Sequence, residues 1–348
     1  MAFTLEGLSL LNAVSGCEDE AREYIIPHIK TKCDRLEVDS IGNIIAFKKG
    51  KSDKYKILFG TNIDEVGFIV SDITEKGFIK FKAVGNIDPR TLVSKTVKIG
   101  KNGVLGVVGM KAIHLQKKTE REATVKVSDL YIDIGASTKK EAEKNVSLGE
   151  YITFNTEYSE IDECIKGKAL DRFGVLPLVA AMDCKPLYDT YFVFSTQREI
   201  PCSVMGRGMR VAAYKINPDF ALIISTVNTD DFYTAKSTSA HLGKGAVIEF
   251  MDKCAISDTR FINAISDMAE RNGINVQKKT SSAGVSVAGA VVSASYGATV
   301  GTVSIPCRYS HSPVSYMNKN DINAVSEICT AFIRESDVII NGITKKAD

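Results

Sequence analysis

The chain changes texture twice, and this limits its architecture more than any other feature. Residues 4–34 carry helical periodicity, with Leu8, Leu11 and Val14 followed by Ala21, Tyr24, Ile25 and Ile29. Residues 36–48 read as strand with a turn at Ile41-Gly42-Asn43, and 55–60 as a compact apolar strand. From about residue 66 to 158 only short strands recur, at 66–71, 78–84, 97–99, 105–110, 130–134 and 151–155. Gly77, Gly85, Gly103, Gly135 and Gly149 punctuate them, and a helical patch at 139–145 interrupts them. Evenly spaced short strands predict a small barrel or sandwich. From about 159 helices (173–184, 209–216, 259–272, 287–295, and 321–335 capped by Asp321) alternate with strands (191–196, 220–225, 247–251, 300–305). That alternation predicts a mostly parallel sheet covered by helices. Strand 55–60 belongs to it, so the β run is an insertion. The fold class is α/β, with a discontinuous sheet-and-helix domain (1–66 and 159–348) and an inserted β-barrel or sandwich domain (67–158). At 348 residues the chain exceeds what one core usually serves.

Charge excludes some functions. Net charge is +2, from 44 basic and 42 acidic residues, without a basic block, so nucleic acid is not an expected partner. No apolar stretch is long enough to span a bilayer. Residues 1–12 are apolar but lack a basic start and carry Glu6, which reads as an amphipathic helix and not a signal peptide. The eight cysteines are scattered without a C-x-x-C, as expected of reduced thiols in the cytoplasm. Only four histidines are present, which limits any metal site built from imidazole.

Residues 191–199 read Tyr-Phe-Val-Phe-Ser-Thr-Gln-Arg-Glu, an apolar run that stops on Gln197, Arg198 and Glu199. In open α/β sheets the carboxyl ends of strands face the functional crevice. A carboxylate there suits metal binding or proton transfer, but its neighbour here is a cation. Other polar stretches fall at strand ends or loops: Asn62-Ile63-Asp64-Glu65, Ala169-Leu170-Asp171-Arg172, Ser225-Thr226-Val227 and Tyr309-Ser310-His311-Ser312-Pro313.

These stretches, in this order around an inserted barrel, resemble the glutamyl/deblocking aminopeptidase family, cytosolic enzymes that form tetrahedral twelve-subunit shells. The resemblance covers nearly the whole chain. It is carried by Asp64-Glu65-Val66-Gly67-Phe68-Ile69-Val70, Lys168-Ala169-Leu170-Asp171, Ala212-Ala213-Tyr214 with Pro218-Asp219, Leu242-Gly243-Lys244-Gly245, and the long Ser304-Ile305-Pro306-Cys307-Arg308-Tyr309-Ser310-His311-Ser312-Pro313. It implies peptide hydrolysis at free N-termini, two divalent metals (zinc or cobalt) in the α/β domain, and dimer contacts through the barrel. The expected assembly is a dimer-based homo-oligomer of up to twelve subunits, or a mixed oligomer with an active paralogue.

Carried over residue by residue, the implied site is altered. The first ligand position, a His in the family, is Asn62, and a later Asp ligand is Ser225. The bridging Asp is Asp171, which runs straight into Arg172 with one residue missing. The general-base position is Arg198 and the following ligand position Glu199. The last ligand, in His-Ser-Pro, is His311. A Thr-Asp pair that recognises the substrate amine becomes Ser286-Val287. Asp64, Glu65 and Arg172 would support the site. Each metal of a two-metal hydrolase needs about three protein ligands. Only Asp171, Glu199 and His311 are competent, enough for at most one ion, and a guanidinium cannot act as a base.

Three readings follow for function: a catalytically impaired subunit of a shell; an active aminopeptidase with one metal or rearranged ligands; or a peptide or anion receptor in which Arg198, Arg172 and Arg308 clamp an anion. Bland alternatives accompany them. Glu199 and Asp171 would be ion-pair partners of Arg198 and Arg172, or Arg198 would replace a lost metal by bidentate pairing to Asp64, Asp171 and Glu199. His311 is either a ligand or a packed or capping residue. Cys202 and Cys307 are either soft ligands or nucleophiles, or buried and inert. His28, His114 and His241 serve packing or the surface.

Overall fold

The computed structural model describes residues 3–200, 206–229, 231, 240–294 and 297–344. In chain order its strands are β1 (Arg35–Val38), β2 (Ile44–Lys48), β3 (Ser52–Asn62), β4 (Gly67–Ile73), β5 (Ile79–Val84), β6 (Thr96–Ile99), β7 (Val104–Met110), β8 (Leu130–Asp133), β9 (Tyr151–Phe154), β10 (Ser159–Ile161), β11 (Cys164–Gly167), β12 (Tyr188–Ser195), β13 (Phe220–Asn228), β14 (Ala246–Glu249), β15 (Val276–Lys279), β16 (Thr299–Cys307) and β17 (Ser315–Asn318).

Eight of them form one mixed sheet in the order β1-β2-β12-β3-β13-β16-β14-β15. The four central strands β12, β3, β13 and β16 are parallel, while β2 and β14 pair antiparallel to their inner neighbours. The sheet is therefore mixed: parallel through its four central strands and again between β14 and the edge strand β15, antiparallel at β1-β2, β2-β12 and β16-β14. The reason is visible in β3, whose apolar half is buried on both faces. Phe59 points to the core shared with helices Val175–Ala181, Thr259–Arg271 and Lys319–Thr344, through Leu178, Phe261 and Phe332. Leu58 points to the opposite core, with Met209 and Ala290 of helices Arg207–Ile216 and Ala288–Val292.

Strands β4 to β9 close a separate barrel, in the order β4-β5-β8-β7-β6-β9, around Phe68, Phe81 and Phe154. The barrel enters directly after β3 and returns through β10 and β11, which form a small sheet with β17 in the order β10-β11-β17. None of the described helices is long and apolar enough to cross a membrane.

One sequence expectation needs correction. Asp321 does not cap the last helix, which begins at Lys319; Asn318 Oδ1 accepts from Asn320 N instead, at 2.8 Å. Asp321 lies inside the first turn and accepts from the backbone N–H groups of Gly243 and Gly245, both at 2.7 Å. It thereby folds the Leu242-Gly243-Lys244-Gly245 turn against that helix.

Candidate metal centre

Parallel pairing places the carboxyl ends of the central strands side by side. Ser195 at the end of β12 pairs with Asn62 at the end of β3, and Ser225 on β13 with Ser304 on β16. The Gln-Arg-Glu tip that follows β12 is held from two directions. Buried Asn43 accepts from Thr196 N at 2.9 Å and donates to Gly208 O at 2.9 Å. Gly208 has to be glycine, because a Cβ there would lie 2.4 Å from Thr196 O. On the other side, Gln197 N donates to Glu18 Oε1 (2.9 Å), and Glu199 N donates to Ser15 Oγ (3.0 Å) and Asp64 Oδ2 (3.1 Å).

Asp171, Glu199 and His311 meet at this end, with one ligand atom from each within 4.8 Å of the others. His311 Nε2 lies 3.3 Å from both Asp171 Oδ2 and Glu199 Oε1. The carboxylate of Asp171 therefore faces into the cluster. The turn Leu170–Gly174 is entered through Ala169 at φ +52°, and this tight entry aims Asp171 at the strand ends. Gln197, Tyr309 and His311 also have left-handed backbones, at φ +55°, +58° and +60°. Non-glycine residues in this region are strained by about 1–3 kcal/mol each, and such strain gathers at functional sites.

Protein donors occupy one oxygen of Asp171 and leave the other largely open. Oδ1 accepts from Thr226 Oγ1 and Ser310 Oγ, both at 2.8 Å, and Oδ2 accepts weakly from Ser310 Oγ at 3.1 Å. Burial would raise its pKa, but the hydrogen bond and charge of His311 and the charge of Arg198 hold it below the ordinary carboxylate range. Burial likewise opposes ionised Glu199, while His311 and Arg198 bring it below its usual value. For His311 burial works downward, and Glu199 and Asp171 outweigh it, raising the imidazole to about 10. Two carboxylates protonate an imidazole between them whether or not they ever bind metal, so this charge does not decide the matter.

Arg198 decides it. The side chain is 4% exposed and its Nη1 lies 3.5 Å from Glu199 Oε1 and 3.4 Å from Asn62 Oδ1, while Nη2 donates to Val285 O at 3.1 Å. It makes no bidentate pair and no hydrogen bond to Asp64 or Asp171 in the described structure, contrary to the sequence expectation. The physical reason is its anchor at Val285, which aims one nitrogen away from the carboxylates. An ion on Glu199 Oε1 would sit about 5.5 Å or less from Nη1. At an effective dielectric near 20, a dication and a guanidinium at that distance repel by roughly 6 kcal/mol. Asn62 is engaged with Arg198 and, through Nδ2, with Asp64 O (3.2 Å), and Ser225 is a buried hydroxyl. The residues present do not fit two metal ions.

The remaining candidates fall elsewhere. Asp64 positions Glu199, accepting from its N–H and from Ser15 Oγ. Burial first, then the charges of Glu199 and Glu18, raise it to about 7. Arg172 does not pair with Asp171. It turns to the opposite side, with Nη2 3.3 Å from Glu65 Oε1 and Nε and Nη1 on the carbonyls of Ile63 and Leu8. Glu65 accepts from Ala13 N and lies 3.5 Å from Lys168 Nζ, so it braces the same loop from behind. Arg308 is spent on a bidentate pair with Asp231, both contacts 2.8 Å. An anion clamp of Arg198, Arg172 and Arg308 is therefore ruled out by their pairing. Ser15, Glu18, Thr226 and Ser310 are site residues that sequence reasoning left without a role.

Cys202 lies outside the described residues. Cys307 is fully buried, and burial together with the charge of Asp171 pushes its thiol well above the ordinary range, so it is neither nucleophile nor thiolate ligand. A thiol reagent applied to the native protein is expected to label exposed Cys164 and Cys254 and to spare Cys307 and Cys329 until unfolding. A Cys307 adduct on folded protein, found by peptide mapping, would contradict this.

A barrel inserted at the end of a central strand, and an acid–acid–imidazole cluster at the adjoining strand ends, define an α/β protein of the metallopeptidase class. The family model of the M42 glutamyl aminopeptidases matches residues 42–328, and the chain belongs to this family. A putative aminopeptidase of Acetivibrio thermocellus is 36% identical over 315 residues, spanning 89% of this chain and 91% of the relative. An aminopeptidase from the archaeon Desulfurococcus kamchatkensis has the same fold at TM-score 0.89 and 31% identity, over 95% of this chain and 93% of its own. The Pyrococcus horikoshii TET1 peptidase, described as assembling into a tetrahedron or a large octahedral shell, matches at TM-score 0.82 and 29% identity, over 94% and 98%. Family aminopeptidases depend on divalent metal.

Proposed function

We propose that this chain is a self-assembling, cytoplasmic member of the M42 family that no longer carries out ordinary two-metal aminopeptidase hydrolysis. The observation that carries the reading is Arg198. A guanidinium that cannot lose its proton stands at the base position, buried against the one glutamate next to it. Occupation of Asp171 Oδ1 by Thr226 and Ser310 supports it, since a carboxylate that bridges two ions must offer both oxygens. Assembly is homo-oligomeric and dimer-based, with barrel residues 67–158 as the dimer module, on the analogy of shell-forming relatives. A competing reading, a hydrolase running on one ion, draws on the same three convergent side chains.

The deciding experiment is an aminopeptidase assay on protein free of host peptidases, over a panel of aminoacyl substrates with zinc, cobalt or manganese. No turnover above the buffer rate is expected. Turnover that disappears in Glu199→Ala would sink the proposal.

A further inference from the structure

We infer, building on the reading just proposed, that Arg198 is an internal counter-cation in the electrostatic place of a metal, and that Asp171, Glu199 and His311 form a latent one-ion site closed to divalent cations while the guanidinium is present.

Several observations converge on this residue. Glu199, 3.5 Å away, is its nearest carboxylate, and the charges of Glu199, Asp171, Asp64 and Glu249 together outweigh the cost of its burial. It is clasped at both ends. Nη1 lies between Glu199 and Asn62, and Nη2 holds the carbonyl of Val285. The next residue, Ser286, is fixed in turn by Asp252 Oδ2, which accepts from Ser286 N at 2.8 Å and Ser286 Oγ at 2.6 Å. The guanidinium is thus tied across the crevice from strand tip to loop and is not free to swing away.

The ligands around it are otherwise ready. Asp171, Glu199 and His311 already converge, and Glu199 Oε2 is buried with no hydrogen-bond partner in the described structure. That oxygen is a spare ligand atom, and Arg198 Nε is likewise buried without a hydrogen-bond partner in the described structure. The three side chains lack a suitable charge environment, not proximity. Removing one fixed positive charge at this distance is expected to strengthen dication binding by at least about a thousandfold. The buried carboxylates would then gain in the ion the partner they lost.

The test is equilibrium dialysis of the full chain against zinc, with the retained ion counted by elemental analysis and the unfolding midpoint recorded with and without zinc. Wild type and Arg198→Lys, which keeps the charge, are expected to retain no ion where Arg198→Met holds about one per chain. Zinc should raise the midpoint of Arg198→Met alone, and adding His311→Ala should erase both gains. Should Arg198→Met fail to fold, Arg198→Gln makes the same comparison with a hydrogen-bonding group in place. The inference is overturned if wild type or Arg198→Lys retains zinc as Arg198→Met does, or if the gain survives His311→Ala. Turnover by wild type without retained metal would remove the loss-of-peptidase reading and leave this inference standing; retained zinc without turnover would do the reverse.

Discussion

Replacing Arg172 by methionine is expected to lower folding stability by about 3–5 kcal/mol, the loss typical of breaking a buried charge pair from one side. Arg172 is the largest of the fully buried side chains, at 0% exposure. Its Nε donates to Ile63 O at 2.6 Å, and Nη1 donates to Leu8 O at 2.8 Å and Leu11 O at 3.3 Å. Leu8 lies in the first helix, Leu5–Leu10, whose last carbonyls have no partner within the helix. Ile63 lies in the loop between β3 and the barrel. One guanidinium therefore joins the N-terminal helix, the exit of a central strand and the turn Leu170–Gly174. Methionine fills much of the volume, but three carbonyls lose their donor, and Glu65 keeps the Ala13 N–H at 2.8 Å and a single cation, Lys168 at 3.5 Å. A fall in midpoint on the order of 10 °C is expected by calorimetry, or insoluble protein. Arg172→Lys, which restores one charge but not the fork, should fall between the two. A methionine variant within about 1 kcal/mol of wild type would show that the network adds little.

That residue also illustrates what the sequence made legible. The layering could be read because each part follows a local rule. The alternation of apolar segments marks the sheet-and-helix domain, and glycine punctuation at Gly77, Gly85 and Gly103 marks the barrel turns, where the structure gives all three positive φ. His311 was found through its neighbours, since a lone histidine carries little signal. Side-chain direction was not legible. Arg172 and Asp171 are adjacent in sequence, yet one faces the N-terminal helix and the other the strand ends. Their ion pair was a natural expectation and is absent. Glu18 and Ser15 reach the tip at Gln197 and Glu199 from 179 and 184 residues away in the chain, and no local pattern announces a contact of that separation. The turn that carries Asp171 is entered through Ala169 in a left-handed conformation, a residue type whose sequence gives no hint of it.

Alkaline pH is expected to weaken this protein through His311, with a midpoint that falls as pH rises from about 6.5 to about 10. The folded-state pKa is raised above that of free histidine, so the native state holds its proton more tightly than the unfolded chain does. The stabilisation is complete below the unfolded value and lost as pH climbs through the folded one. The cause is structural: the imidazolium lies 3.3 Å from one oxygen of Asp171 and one of Glu199, and Arg198 is the next cation in the cluster. With the imidazole neutral, two buried carboxylates are left to one guanidinium. The side chain is 23% exposed, so screening reduces the effect, and a ceiling on the order of 4 kcal/mol follows. Asp64 acts in a lower window. Its folded pKa of about 7 exceeds its ordinary 3.8, so stability is lost as pH rises between those values. Asp171 is depressed, so its contribution is present above 3.8 and lost on acidification. Neither carboxylate contributes a decline above pH 7, and the buried thiols Cys307 and Cys329, raised from 9.0, add theirs only above about pH 9, so His311 is separated from them by its own variant. His311→Gln, which keeps a donor but cannot titrate, should start less stable and lose the additional slope. Midpoints of wild type and variant that fall in parallel across this range would remove His311 as the source. The same proton must leave before any ion can take the imidazole, so zinc binding in Arg198→Met should strengthen steeply with pH over the same interval.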